Sequence, residues 1–356
     1  MLPLLLAAAI YLPTLAGPFT MDDDAAVRGH PAVRGDAPWH EVFVREYWGR
    51  PLGQGWSSSY RPLVSLTFAV EQRVAPGPLL PRAINLLLFL GLLWLLQRWL
   101  AARVGTTRAA WSVAAFAALP LLADNVASIV GRADLLATIF GLLALFAALR
   151  GRGLAAAAAY LAALLCKESV ALLPAIAAWS ALLAWRRGRL APRAAVHAVL
   201  ALCATGLAYL LARQALLPVG LPPDFVGADN PFAAVHGAAR AFANLGLVER
   251  YVEQTLLPHA LCVDHTYADV MPPEGWFGAD AWRSWLGALL LVGVARDALL
   301  AWRGESEGWW VAAALAYLVV GGWVVDLSVT FAERLAIWPL AFCVLAVSEG
   351  AKVSSA

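Results

Sequence analysis

Long apolar runs alternate with short polar breaks along almost the whole chain. Residues 2–16 read as a first apolar helix, and a polar stretch follows from Gly17 to Pro78. Apolar runs then cover 79–97, 109–123, 135–149, 154–165, 170–185 and 194–217, and they resume at 284–301, 309–325 and 335–348. A hydrocarbon core is crossed by roughly 20 apolar residues in a helix, so these runs predict membrane spans. Between them, 218–283 is mixed, with prolines at Pro222, Pro223, Pro272 and Pro273. There, 240–263 reads as an amphipathic interfacial helix or a re-entrant pair. The expectation is an all-α, polytopic membrane protein of about ten spans, between about 8 and 12. Residues 1–350 form one integral membrane domain, with outer regions at about 17–78 (carrying short helices) and 218–283, and a cytoplasmic tail at 351–356. The 2–16 run has no basic segment before it and no small-residue cleavage pattern, so an uncleaved first span is expected rather than a signal peptide.

The polar breaks are of two kinds. With the amino terminus placed in the cytoplasm, the breaks at 98–108, 150–153, 186–193 and 296–308 fall inside, and these are rich in arginine. The breaks at 17–78, 124–134, 166–169, 218–283 and 326–334 fall outside and hold nearly every acid. That is the asymmetry the positive-inside rule requires. Composition agrees: 61% of the 356 residues are hydrophobic and 14% charged, where a soluble domain is nearer a quarter charged. A net charge of +2 gives no field that would draw nucleic acid. Cys166, Cys203, Cys262 and Cys343 lie far apart without metal-ligand spacing, so buried, unreactive thiols are expected rather than disulfides.

Chemistry collects on the outer face. Asp22, Asp23 and Asp24 open the first loop directly after an apolar segment, where clustered carboxylates repel one another and raise each other's proton affinity. Cations stand at helix ends: Arg61, Arg132, Lys167 and Arg334, three of them beside an acid, Asp134, Glu168 or Glu333. Arginine forks suit phosphate and stabilise charge on a departing phosphate, and a carboxylate can take the proton of an attacking hydroxyl. One base with direct displacement inverts the anomeric centre of a sugar donor. Tyr60, Trp39 and Trp48 are candidates for bounding a sugar pocket, and the two tryptophans equally for anchoring at the interface. No metal ligand set is expected. A divalent cation, Mg or Mn, beside Asp22–Asp24 is compatible with the acids but not required. A transporter or flippase is the reading from another class. It would place ionisable groups near the bilayer midplane in two related halves, and neither pattern is visible.

Phe19-Thr20-Met21-Asp22-Asp23, Val27 and His30-Pro31-Ala32-Val33 resemble the opening luminal-loop signature of the TMTC family, transmembrane TPR-containing O-mannosyltransferases. Tyr47-Trp48-Gly49, Ser59-Tyr60-Arg61-Pro62-Leu63 and Leu66-Thr67-Phe68 continue that likeness. Val130-Gly131-Arg132-Ala133-Asp134-Leu135-Leu136 resembles its second signature. Lys167-Glu168, Asp229-Asn230-Pro231, Leu257-Pro258, Leu261-Cys262, Asp264 and Ala332-Glu333-Arg334 with Pro339 follow in the family's order, over nearly the whole chain. The resemblance implies a GT-C-type glycosyltransferase that moves a hexose, mannose in the family's animal members, from a polyprenyl-phosphate donor to a hydroxyl, Ser or Thr of a protein. It implies a first-loop carboxylate, Asp22 or Asp23, as base, with Tyr60, Arg61, Arg132, Asp134, Lys167, Glu168, Glu333 and Arg334 toward the donor. A lipid or cell-wall glycan is the alternative acceptor. Ala123-Asp124-Asn125 stands where the family pattern has His-Pro, and no 34-residue TPR period is visible. The Ala/Leu/Arg-rich composition points to a bacterial inner membrane, an active site facing the periplasm and an undecaprenyl carrier.

Overall fold

The apolar runs fold into helices whose ends are set by prolines and glycines. The computed structural model describes residues 1–53, 59–217, 230–262, 265, 269–324 and 329–350. Sequence features at Ser57, Ser58, Pro222, Pro223, Asp229, Asp264, Asp326 and 351–356 lie outside the described residues. In chain order the helices are α1 (Leu2–Tyr11), α2 (Pro31–Arg34), α3 (Pro62–Val74), α4 (Leu79–Val104), α5 (Thr106–Ala117), α6 (Ala123–Ala127) and α7 (Arg132–Ala148). They continue as α8 (Gly153–Leu164), α9 (Leu173–Arg186), α10 (Pro192–Leu216), α11 (Gly237–Leu256), α12 (Ala281–Arg303), α13 (Trp309–Val320) and α14 (Ile337–Gly350). Pro31, Pro62 and Pro192 stand at first helical positions, where a missing N–H leaves no bond unmade. Among the described residues there is no strand, only the isolated bridges Arg45–Pro51 and His265–Phe331.

Among the described residues, four helices are long and apolar enough to cross a membrane: Leu79–Val104, Glu168–Arg186, Pro192–Leu216 and Ala281–Arg303. A fifth crossing results if α5 and Pro120–Ala127, bent by 64°, act as one broken span. The expected count of about ten is not reached by helices of full span length. Pro120 breaks the 109–123 run, and the runs at 2–16, 154–165 and 309–325 contribute only shorter apolar helices, Leu2–Ala16, Gly153–Leu164 and Trp309–Val320. α7 is likewise short at 17 residues, yet it buries nearly every side chain and forms the centre of the bundle, packed on α4, α8, α9 and α14. A helix apolar on all sides is stable when buried in a protein core or in lipid, and here neighbouring helices cover most of it. Of the 240–263 stretch, residues 240–256 fold into the continuous α11, which pairs with α12. Its buried side packs Phe242, Leu247 and Tyr251, while Arg240 and Glu253 stay more exposed.

Candidate active site

The first polar loop is folded by its own short-range bonds. Thr20 donates to Asp23 Oδ2 from both its N–H (3.1 Å) and its hydroxyl (3.2 Å), and Asp23 N–H returns a bond to the Thr20 carbonyl (2.9 Å). This turn holds Met21 at φ +46, the one non-glycine residue with positive φ among those described. Strain of that kind costs about 1 kcal/mol and persists only where surrounding bonds impose it. The result sends neighbouring carboxylates in opposite directions. Asp23 is fully buried, and its other oxygen accepts Val130 N–H at 3.1 Å. Asp22 keeps 46% of its side chain exposed and lies 3.9 Å from the Arg334 guanidinium. Asp24 turns away to the exposed Arg28 at 2.8 Å. The three acids are thus dispersed to three partners, and no group of three or more His, Cys, Asp or Glu is arranged around a common metal position among the described residues. Burial raises the Asp23 carboxyl above the usual carboxylate range, against the N–H bonds from Val130 and Thr20 and the charge of Arg82, which lower it.

Asp22 opens onto a cluster of alternating charges. Arg334 reaches Asp124 at 3.5 Å as well as Asp22, and its carbonyl accepts from Asn125 Nδ2 at 2.8 Å. Lys167 donates to both oxygens of Asp134, at 2.7 and 2.6 Å. Arg61 lies 4.0 Å from Glu168, and its guanidinium stacks 4.8 Å from the Tyr47 ring centroid. These groups feel one another: Lys167 is acted on by Arg61 and Arg334, and Asp124 by Asp134 and Lys167. Tyr47 lies within the field of Arg61, Asp22, Asp23 and Arg132 at once. Its hydroxyl is buried without a partner among the described residues, and burial holds its proton on well above the normal phenol range. Gly131 fits the second signature under α6, since a Cβ there would stand 2.5 Å from the Asn125 carbonyl oxygen and 2.7 Å from that of Asp124.

Other expected site residues turn elsewhere. Arg132 is fully buried. It donates from Nε to Asn85 (2.8 Å), from one Nη to Thr67 (2.9 Å) and Glu71, and from the other to the Pro81 carbonyl (2.7 Å). Its fork is therefore occupied by protein. Glu333 accepts Cys262 N–H at 2.9 Å and lies 3.1 Å from His265 Nε2, so it faces Cys262 and His265. The Tyr60 hydroxyl braces the first loop by donating to the Phe43 carbonyl at 3.0 Å. Trp39 is half exposed and edge-on to His40, and Trp48 packs edge-on to Tyr47 at 4.9 Å.

Sequence reasoning assigns no role to Asp124, Tyr47, Glu71 or Arg82. Arg82 joins three segments, donating to the Pro18 and Ala127 carbonyls and standing 4.0 Å from Asp23. A signal existed for Glu71 and Arg82, because ionisable groups inside apolar helices need buried partners. For Tyr47 the signal was its place in the Tyr47-Trp48-Gly49 motif, which does not show that the ring is buried against Arg61; that depends on how the 45–51 loop closes.

No family model matches the chain, and no solved structure matches it. Curated proteins do. Protein O-mannosyl-transferase TMTC2 of Mus musculus is 34% identical over 145 residues, which is 39% of this chain and 17% of that protein. Protein O-mannosyl-transferase Tmtc2 of Drosophila melanogaster is 37% identical over 152 residues, 41% of this chain and 16% of that protein. Protein O-mannosyl-transferase Tmtc1 of the same fly is 34% identical over 178 residues, 46% of this chain and 20% of that protein. The matched part spans no more than a fifth of the length of these three relatives. Over about 40% of its length the chain is similar to the TMTC O-mannosyl-transferases.

Proposed function

We propose that the chain is a membrane glycosyltransferase that moves a hexose, mannose by its relatives' names, from a polyprenyl-phosphate carrier to a hydroxyl of a protein Ser or Thr. The observation that carries this is the pairing at the loop mouth: an accessible carboxylate, Asp22, stands beside Arg334, with Arg61 and Lys167 in the same cluster. Asp22 takes the proton of the acceptor hydroxyl as its oxygen attacks the anomeric carbon. The bond from that carbon to the carrier phosphate breaks, and the phosphate leaves with the electron pair. Arg334 and Arg61 stabilise the growing charge, worth most where water is excluded. A single base on one face gives inversion. Asp23, locked by Thr20 and Val130, positions the turn instead of meeting substrate.

An apolar groove supports a lipid-borne donor. It has a volume of about 1230 Å³ and is lined by α11–α14, from Tyr251, Trp323 and Ala336 at one end to Trp310 at the other. Ala336 is two residues from Arg334, and Tyr251 donates its hydroxyl to the Ala332 carbonyl at 3.0 Å. An isoprenoid chain in the groove would therefore hold its phosphate near Arg334. Incubation of purified protein with labelled polyprenyl-phosphate mannose and Ser/Thr peptides, with lipid acceptors in parallel, tests the proposal. Labelled peptide is expected. Labelled lipid alone would move the acceptor to a glycolipid, and no transfer to either overturns the reading.

A further inference from the structure

A second, polar pocket lies at the other end of the bundle from the Asp22–Arg334 cluster, sharing Glu307 and Trp309 with the lining of the apolar groove. α4 carries Arg82 near its start and Arg103 near its end. At 1.5 Å per residue these are about 32 Å apart, close to the thickness of a hydrocarbon core. α7 runs the same way, from Asp134 in its first turn to Leu149 and Arg150 just past its last. Arg103, Arg150, Arg189, Ser180, Trp99 and Trp309 line a cavity of about 240 Å³ there, together with Glu307.

The wall is rich in donors and positive charge. Arg189 and Arg187 converge on Glu307 at 2.7 and 2.9 Å, and Arg103 lies 3.4 Å from Glu349. Arg103 stacks 3.7 Å from the Trp99 ring centroid, with Arg150 5.5 Å from the same ring. Of the charged groups lining the cavity, Arg103, Arg150 and Arg189 stand against one carboxylate, Glu307, a surplus of two positive charges among the described residues. Arg103 and Arg150 each donate to a carbonyl four residues back, as basic residues at helix ends do. That bond uses one N–H of each fork. The indole N–H groups of Trp99 and Trp309, 7% and 4% exposed, have no acceptor among the described residues. A buried donor without an acceptor carries a full desolvation penalty, about 1–3 kcal/mol. Two such donors beside surplus arginine make a wall complementary to an anion. Arginine forks match the oxygens of a phosphate, and the volume corresponds to about eight waters of liquid, room for a phosphate and part of an ester chain.

We propose that this enclosure binds a phosphate-class anion, the phosphoryl group of either an anionic phospholipid in the adjoining leaflet or a free phosphate. Basic pockets between spans hold lipid headgroups by the same chemistry. The site is separate from the Asp22–Arg334 cluster, so its test does not depend on transfer activity. Detergent-purified full chain is titrated with inorganic phosphate and, at matched ionic strength, with sodium chloride, and its thermal unfolding is followed. In parallel the chain is reconstituted in nanodiscs of phosphatidylcholine with or without phosphatidylglycerol, and retained lipid is counted by native mass spectrometry. A saturable rise in Tm with phosphate beyond the chloride control assigns a soluble anion. Preferential retention of phosphatidylglycerol assigns the leaflet lipid. In either arm Arg150→Gln and Trp309→Phe are expected to weaken binding at least tenfold, Trp309→Phe removing the indole N–H with its pyrrole ring while keeping an aromatic side chain. Absence of both responses in the wild-type chain overturns the proposal, as does wild-type binding by both variants.

Discussion

At the scale of single residues, the Thr20–Asp23 turn separates two carboxylates that are neighbours in sequence. Asp22 is accessible and beside Arg334, whereas Asp23 is buried and bonded to backbone. Asp22→Asn is expected to lower transfer at least 10²-fold with unchanged thermal stability, since a general base contributes about 10²–10⁴. Asp23→Ala should lower Tm as well, because it leaves the Val130 and Thr20 donors buried without an acceptor. Equal loss of activity in both without a change in Tm would reverse these roles. His30 makes a pH prediction. It is fully buried, neither ring nitrogen is bonded among the described residues, and burial, aided by the nearby Arg45 charge, draws its pKa from 6.5 to about 4. The folded chain keeps this ring neutral while the unfolded chain protonates it, so the unfolded state binds more protons between those values. Stability is therefore unaffected above about pH 6.5 and falls as pH drops toward 4, by about 3 kcal/mol in all. Melting curves of wild type and His30→Gln across that window should converge at the acid end. The direction of Asp22 is not legible in the sequence, which shows three equivalent aspartates; only the turn, through Thr20 and the αL backbone at Met21, distinguishes them.

At the scale of elements, Arg132 and Glu71 join α7 to α3, and Asn85 joins both to α4. Removing one partner of a buried pair leaves an uncompensated charge, at a cost of about 3–5 kcal/mol. Glu71→Ala is expected to lower stability by that amount, and Glu71→Leu with Arg132→Met to recover part of it. If Arg132 instead binds donor phosphate, Arg132→Lys will weaken donor binding while leaving Tm unchanged. A Gly131→Ala substitution should cost about 1–3 kcal/mol, since the added Cβ meets backbone oxygens that cannot rotate away. Helix positions were legible because apolar runs are local, and α4, α10 and α12 follow them closely. Span lengths were less so: a hydropathy run does not reveal where Pro120 bends the chain, or that α7 is enclosed by neighbours instead of lipid. The acid–cation pairs were only partly legible. Adjacent residues such as Glu333 and Arg334 read as a pair, yet they diverge to His265 and to Asp22.

At the scale of the molecule, the Asp22 cluster and the α11–α14 groove lie side by side, which predicts dependence on the carrier's length. Donors with the polyprenyl chain cut to two isoprene units should show a KM raised at least about tenfold with kcat nearly unchanged, because lost chain contacts are made equally in ground and transition states. Steady-state kinetics over a series of chain lengths checks this; an unchanged KM would leave the groove without a part in donor binding. A second consequence belongs to α4. It runs 26 residues without a break, about 39 Å by helical rise, with Arg82 braced against the Asp23 turn and Arg103 against Glu349. A ligand at the arginine end that displaced this helix as a rigid body would alter affinity on the aspartate side, and thermodynamic reciprocity would make the converse effect equal in size.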